Sequence, residues 1–392
     1  MLFPAGRFII FSVELKTITT KEGASPKKGF VYPFLSNSYR TNISNMTKKN
    51  QDEITGKLQP KKKQNIRIYE FIEKKMSESG RELFKSCSTF NEFVATKDKK
   101  KKKRVKGNDC KNRFCPICAW RKAGKDAVKI ATMMEAIKIE EKKEFLFLTL
   151  TTPNIKADTV KSEIDRFNKA FNKLFKRRNI QRSIKGYIRK LEMTYDKERF
   201  ITEEMYNNKK RKAYYDSRGL KVDDHNPNYD TYNPHFHVLL CVEKNYFKRK
   251  ELYIKQEEWL EMWREVTDMP EITQVHIQKV ELIREGNAVA EVAKYSAKDY
   301  EMSVSQDVFD VFYLALKGRQ LIVYGGLLKD YAKKYEDGEL DKYKSTDKNE
   351  YYYRLIAMWN KDLMKFEQEY QELTESEKQE YNGHLIDEME VE

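Results

Sequence analysis

Long apolar runs are scarce in this 392-residue chain, and none reaches the length a membrane helix needs. The opening MLFPAGRFIIFSV is apolar but too short to span a bilayer, and it lacks the small-residue cleavage site of a secretory signal. Cysteine is sparse as well. Five thiols, an odd number without a secretory signal, argue against a disulfide framework. No GxxxxGK[ST] phosphate loop occurs, which excludes a P-loop ATPase or helicase module, and no internal repeat is present. These absences predict a soluble, cytoplasmic protein with no motor of its own and no membrane partner.

Acidic residues are outnumbered, 61 against 76 Lys and Arg, for a formal net charge of +15. The imbalance is uneven. Residues 366–392 hold ten acidic side chains and one basic one, Lys378, so the rest of the chain carries +24. A basic body with 12% aromatics is too aromatic for a disordered chain and calls for a polyanionic partner. Residues 20–65 are rich in Lys, Ser and Asn with little periodicity and read as part of a poorly ordered basic arm, with Met46 a plausible natural start. The run KDKKKKKRVK (97–106) reads as a solvated loop, although its place between cysteines favours phosphate contact.

From Glu144 onward the texture is that of alternating elements. FLFLTLTT (145–152), GYIRKLEMTY (186–195), PHFHVLLCV (234–242) and ITQVHIQKV (272–280) read as strands. Helices are expected over residues 66–83, over 158–177, where Val160, Ile164, Phe167, Phe171, Leu174 and Phe175 share a face, over 258–266, and over 286–301. The polar insert 199–231 reads as a long hairpin connection. This order predicts an α+β fold, a mainly antiparallel sheet with helices packed on one face. The expected organisation is a basic arm (1–65), a basic cysteine-bearing segment (66–140), the sheet domain (141–305), a helical C-terminal region (306–365) and an acidic tail (366–392).

Histidine is scarce too, yet two of the five lie one residue apart in YNPHFHVLLCV. On a strand, His235 and His237 point to one side, while Phe236, Val238, Leu240 and Val242 point to the other. Alone, such a pair reads equally well as half-exposed strand residues or as metal ligands. A third ligand decides between them. Glu192 is the best candidate, because its strand should be the hairpin partner of the histidine strand and its side chain lies on the polar face. Two imidazoles and a carboxylate suit a divalent ion, Mg²⁺ or Mn²⁺, that polarises a phosphate. His225, His276 and His384 fall in no pattern and read as surface residues, and Cys241 as a core thiol.

In AVAEVAKYSAKDYE, helical spacing places Glu291, Tyr295 and Lys298 on one face, opposite a small apolar stripe. As a helix surface this is ordinary. Beside a metal-bound phosphodiester, however, Tyr295 can attack phosphorus, Glu291 can activate water for a later cut, and Lys298 can neutralise developing charge. Tyr300 is a rival nucleophile, but its angular position turns it toward the apolar stripe. Upstream, Cys87 and the CKNRFCPICAWRK stretch with Cys110, Cys115 and Cys118 supply the four thiolates of a closed structural Zn²⁺ site, the alternative being reduced buried cysteines. Arg113, Trp120, Arg121, Lys122 and Lys125 flank them with phosphate contacts and a stacking surface.

With FLTLTTPN (147–154), NPHFHVLL (233–240) and EVAKYSAKD (291–299) in that order, the chain resembles the rolling-circle replication initiators (Rep proteins) of small bacterial plasmids, within the His-hydrophobe-His endonuclease superfamily. The likeness is strong from Glu144 to Tyr300 and continues to about residue 345. It implies that Tyr295 is the nicking nucleophile, that His235 and His237 are metal ligands and that Glu291 serves termination; Glu192 carries over less securely. It further implies a metal-dependent endonuclease and strand-transferase acting on single-stranded or hairpin plasmid origin DNA in the bacterial cytoplasm. Such a protein depends on host helicase and DNA polymerase and is compatible with a homodimer. Rival readings are a relaxase or single-strand transposase with the same chemistry, a non-catalytic zinc-containing DNA-binding protein, and a nuclease using water throughout.

Overall fold

The computed structural model describes residues 54–280, 285–293 and 298–389. Nine strands of these residues build two antiparallel sheets. In chain order they are β1 (Phe90–Thr96), β2 (Lys102–Gly107), β3 (Lys143–Thr151), β4 (Ile184–Asp196), β5 (Thr231–Glu243), β6 (His276–Lys279), β7 (Ile322–Gly326), β8 (Tyr351–Asn360) and β9 (Lys365–Glu372). The longer helices are α1 (Ile54–Ile72), α2 (Glu78–Ser86), α3 (Pro116–Glu141), α4 (Val160–Phe175), α5 (Gln256–Thr267), α6 (Glu285–Ala293), α7 (Gln306–Leu316) and α8 (Leu327–Glu336).

The larger sheet has the order β6-β3-β5-β4-β7, so the histidine strand β5 is central, between β3 and β4. The α+β class and the antiparallel pairing match the sequence reading. Helices on one face do not. One face, with Leu148, Leu150, Leu191, Phe236, Val238 and Leu240, is covered by α4, α5 and α7. The other face, with Phe145, Phe147, Ile188, Leu239 and Cys241, is covered by α3, α6 and α8. The reason is legible in β3: FLFL is apolar at consecutive positions, and both faces must be removed from water. Helix α4 forms as its spacing predicts, burying Val160, Ile164, Phe167, Phe171 and Leu174. Trp263 of α5 is fully buried and its Nε1–H donates to the Thr151 carbonyl at 2.9 Å, fixing the end of β3.

Three further expectations need correction. The basic arm drawn to residue 65 gives way already at Ile54: the helix expected from residue 66 starts twelve residues earlier, as α1, because Leu58 and Asn65 extend the buried stripe of Ile68 and Ile72 back among the lysines. Half of the lysine run is not a loop: Lys102–Gly107 is β2, an edge strand, where lysines discourage pairing with other chains. The C-terminal region expected as helical contains α7 and α8, but also β7, which joins the large sheet beside β4, and β8. Strand β8 (YYYRLIAMWN) suits the pleat through its aromatic and branched residues and pairs with β1 and β9 in the smaller sheet, β2-β1-β8-β9. The acidic tail is therefore folded: it supplies most of β9, the helix Glu375–Tyr381, and Glu388, whose carboxylate meets Arg121 at 3.1 Å. The 199–231 insert does connect the β4–β5 hairpin, as short helices around a core of Ile201, Met205 and Tyr215. None of the described helices is long and apolar enough to cross a membrane.

Candidate active site

Register builds the site. Glu192 on β4 lies directly opposite His235 on β5, and Lys190 opposite His237. On the other side, Thr149 and Thr151 of β3 face His237 and His235. Because side chains alternate, Lys190, Glu192, His235 and His237 share one face, at the end of the layer formed by Ile188, Leu239 and Cys241. His235 Nδ1–H donates to the Asn233 carbonyl at 3.0 Å, and His237 Nδ1 lies 3.3 Å from the Thr149 hydroxyl. These contacts turn both Nε2 atoms inward, onto the same carboxylate oxygen: Glu192 Oε2 is 3.2 Å from His237 and 3.8 Å from His235. One donor atom from each of the three residues lies within 4.8 Å of the others.

The electrostatics match that geometry. Burial opposes charge on Glu192, but the two imidazoles and Lys298 outweigh it and hold the carboxyl at about 2. Burial pushes His235 down against the pull of Glu192, favouring a neutral ring. An ionised carboxylate beside neutral imidazole is the protonation state a divalent cation requires. The two nitrogens and one oxygen fit Mn²⁺, and the harder Mg²⁺ less well.

Glu291 arrives from α6, its Oε2 3.8 Å from His237 Nε2. Tyr295 lies outside the described residues. Lys298 is described, but in coil, before a short helix at Asp299–Met302, so Glu291 and Lys298 do not share the single continuous helix expected over 286–301. Lys298 Nζ is 3.5 Å from Glu301. Tyr300, expected to turn toward the apolar stripe, is instead 51% exposed. His225, His276 and His384 are exposed, and Cys241 is fully buried, where desolvation pushes its thiol up to about 12.

Two neighbours escaped the sequence reading. Glu301 is buried, accepts the Tyr195 backbone N–H at 2.9 Å and is raised by desolvation. Lys190 is buried at 5% exposure, and desolvation lowers it to about 8 while Asp126 and Glu192 pull upward. The signal for Lys190 was present, since it sits two residues before Glu192 and so on the same face.

The four predicted cysteines also meet. Cys87 lies 3.5 Å from Cys118 and 3.6 Å from Cys115, and Cys110 lies 3.6 Å from Cys118, sulfur to sulfur. A tetrahedron with Zn–S bonds of about 2.3 Å has edges of about 3.8 Å, so the arrangement fits one zinc ion. Helix α1 holds it from behind: Lys62 Nζ donates to the Cys87 carbonyl at 2.6 Å, and Asn65 Nδ2 to Cys115 Sγ at 3.4 Å. Of the flanking residues, Arg121 is paired with Asp109 and Glu388, and Trp120 lies under Lys61, 5.6 Å from its ring.

Comparison with known proteins places the chain in a family. The family model described as "Replication protein" matches residues 101–371. A "Protein rep" of Staphylococcus aureus is 46% identical over 248 residues, covering 63% of this chain and 94% of that protein. Those of Bacillus amyloliquefaciens and Streptococcus pneumoniae are 30% identical over 311 residues and 31% over 263, covering 71% and 64% of this chain and 82% and 72% of theirs. No solved structure matches. The chain belongs to the Rep family of plasmid replication initiator proteins.

Proposed function

We propose that this Rep protein starts rolling-circle replication by nicking, and later rejoining, one strand of single-stranded or hairpin origin DNA through a 5′-phosphotyrosine. The observation that carries the reading is the convergence of both histidine Nε2 atoms on Glu192, with Glu291 beside them. Glu192, His235 and His237 would hold Mg²⁺ or Mn²⁺, which supplies polarisation of the scissile phosphodiester. Tyr295, four residues after Glu291 in sequence, is the nucleophile. Its phenol loses a proton and its oxygen bonds to phosphorus; the bond from phosphorus to the 3′ oxygen breaks, and that oxygen takes up a proton to leave as a 3′ hydroxyl. The ester energy is kept in the tyrosine link for rejoining. Lys298 offsets charge on the phosphoryl oxygens. Glu291 takes the proton from the second nucleophile at termination.

The fully buried Cys87 and Cys115, with Cys110 and Cys118, would hold a structural Zn²⁺ that fixes the basic segment next to the sheet domain. A host polymerase extends the 3′ end. A host helicase supplies unwinding, since the chain has no P-loop motif, and pure protein should show no ATP-driven unwinding. We place this work in the bacterial cytoplasm, by a monomer or a homodimer.

The test is cleavage of an end-labelled single-stranded origin oligonucleotide with Mn²⁺, comparing the native protein with Tyr295→Phe and Glu192→Ala. The expected result is a denaturation-resistant adduct that both substitutions abolish. Cleavage that survives Tyr295→Phe would assign the chemistry to water. Salt-sensitive binding with neither cleavage nor adduct would reduce the protein to a DNA-binding module.

A further inference from the structure

Beside the cysteine cluster, a cavity of about 780 Å³ opens between α3, the Lys111–Arg113 segment and residues 319–324 at the start of β7. Lys190 lines it, and so does Ala293, two residues after Glu291 on α6. The cavity therefore adjoins the candidate active site along the same face of the sheet. Lys190 stands two residues from Glu192, about 7 Å along β4.

Lys190 is the unusual member. Its side chain is among the buried charged groups, yet no hydrogen bond or ion pair to its ammonium occurs among the described residues. Buried cations are as a rule paired, because desolvating an unpaired charge is costly. The nearby acids are engaged elsewhere. Glu192 meets the two histidines, Asp126 meets Lys122 at 2.9 Å, and Asp109 meets Arg104 and Arg121. Around the mouth, Lys111 and Lys125 are exposed and also lack an ion pair among the described residues. Arg113 is anchored through Nη1 to the carbonyls of Leu316 and Arg319, at 2.7 and 2.8 Å, which fixes its position without neutralising it. The arrangement is a largely buried lysine lining the cavity and a cationic rim, with the neighbouring acids occupied.

We propose that this cavity is a phosphate subsite, in which Lys190 binds a backbone phosphodiester of the DNA strand flanking the position to be cut. Lys111, Arg113 and Lys125 guide the adjoining backbone. The inference rests on the nicking reading for the identity of the strand, and on the cavity and its unpaired lysine for the anion. The Lys190 ammonium, a point charge on a phosphate, holds the strand in register over the cluster and by itself contributes no sequence preference.

The experiment is fluorescence anisotropy of a labelled single-stranded oligonucleotide with Mg²⁺ over a salt series, for the native protein, Lys190→Met and Lys190→Arg. The expected result is an affinity about tenfold weaker in Lys190→Met. Its slope of log K against log salt should be shallower by about 0.7, and Lys190→Arg should restore most of both. Unchanged affinity and slope would overturn the subsite. If Lys190→Met does not fold, Lys125→Ala and Lys111→Ala on the exposed rim must each make the slope shallower, and their failure to do so overturns it equally. Binding of inorganic phosphate alone that depends on Lys190, with unchanged oligonucleotide affinity, would make this a free-anion site and also overturn it. Failure of the nicking reading is separable: Lys190-dependent binding without any covalent adduct would sink that reading and keep the subsite.

Discussion

Replacing Phe236 by alanine tests what holds the two histidines in place. Phe236 stands between them and points to the opposite face, fully buried. There its ring meets Phe167 at 5.4 Å and Phe171 at 5.6 Å, both edge-on from α4, and the Arg189 guanidinium lies 4.4 Å over it. Truncation of a buried phenylalanine costs about 3–5 kcal/mol. Each lost edge-to-face pair adds about 0.5–1.5 kcal/mol to the area term, so the upper half of that range is expected. Arg189 is itself buried and lowered to about 10 by desolvation, so stripping away its aromatic floor adds to the penalty. At an unfolding entropy of about 2.1 cal/mol/K per residue, a chain of this length loses little more than about 1 °C per kcal/mol, so the melting temperature should fall by about 5 °C. Urea unfolding and a thermal melt measure this, with Phe236→Leu as a milder step in the same direction. A Phe236→Ala protein within about 1 kcal/mol of the native one would refute the claim that packing of β5 on α4 positions the imidazoles.

Other consequences are as direct. Cys115→Ser should abolish stoichiometric zinc in the purified protein, measured by metal analysis, and lower the melting temperature sharply, since structural zinc contributes folding energy outright; a metal-free native protein with an unchanged melt would dispose of the zinc centre. The Glu192 carboxyl is held at about 2, below its ordinary value, so the stability it contributes is present above pH ~4.5 and lost as pH falls toward 2. Without metal, Glu192→Gln should therefore flatten the acid limb of the stability curve, and an identical limb would contradict the pairing. Gly326, at φ +56°, lies where an added Cβ would come within 2.4 Å of the Lys185 carbonyl. Gly326→Ala should lower the melting temperature by prying β7 from β4, and an unaltered melt would show that this junction relaxes freely.

Much of this architecture could be read from residue order. The strict alternation in PHFHVLLCV separates the histidines from Phe236 and Val238, and the same period in RKLEMTY puts Glu192 beside His235 once the hairpin is assumed. The cysteine stretch announces itself by the CPIC turn. What escaped depended on partners distant in sequence. The cover on the second face comes from α3, α6 and α8, which no local period assigns to it. The first part of α1, before residue 66, was hidden because lysines and glutamines interrupt its apolar stripe, while Lys62, a charged residue, is 1% exposed and bound to backbone carbonyls near the thiols. Strand β8 pairs with β1 across more than 250 residues of chain, Phe90 opposite Met358, a pairing only the folded molecule supplies. Lys190 reads as an ordinary strand lysine until α3 and the cysteine segment close over it.

The central claim is a tyrosine-linked intermediate made at the Glu192–His235–His237 cluster, and mapping the covalent link tests it most directly. The protein would be incubated with single-stranded origin DNA and Mn²⁺, digested with protease, and the nucleotide-bearing peptide sequenced by mass spectrometry. The account predicts a 5′-phosphoryl adduct on Tyr295, absent when Mn²⁺ is withheld. An adduct on the exposed Tyr300, or DNA cut with no adduct on any residue, would contradict it.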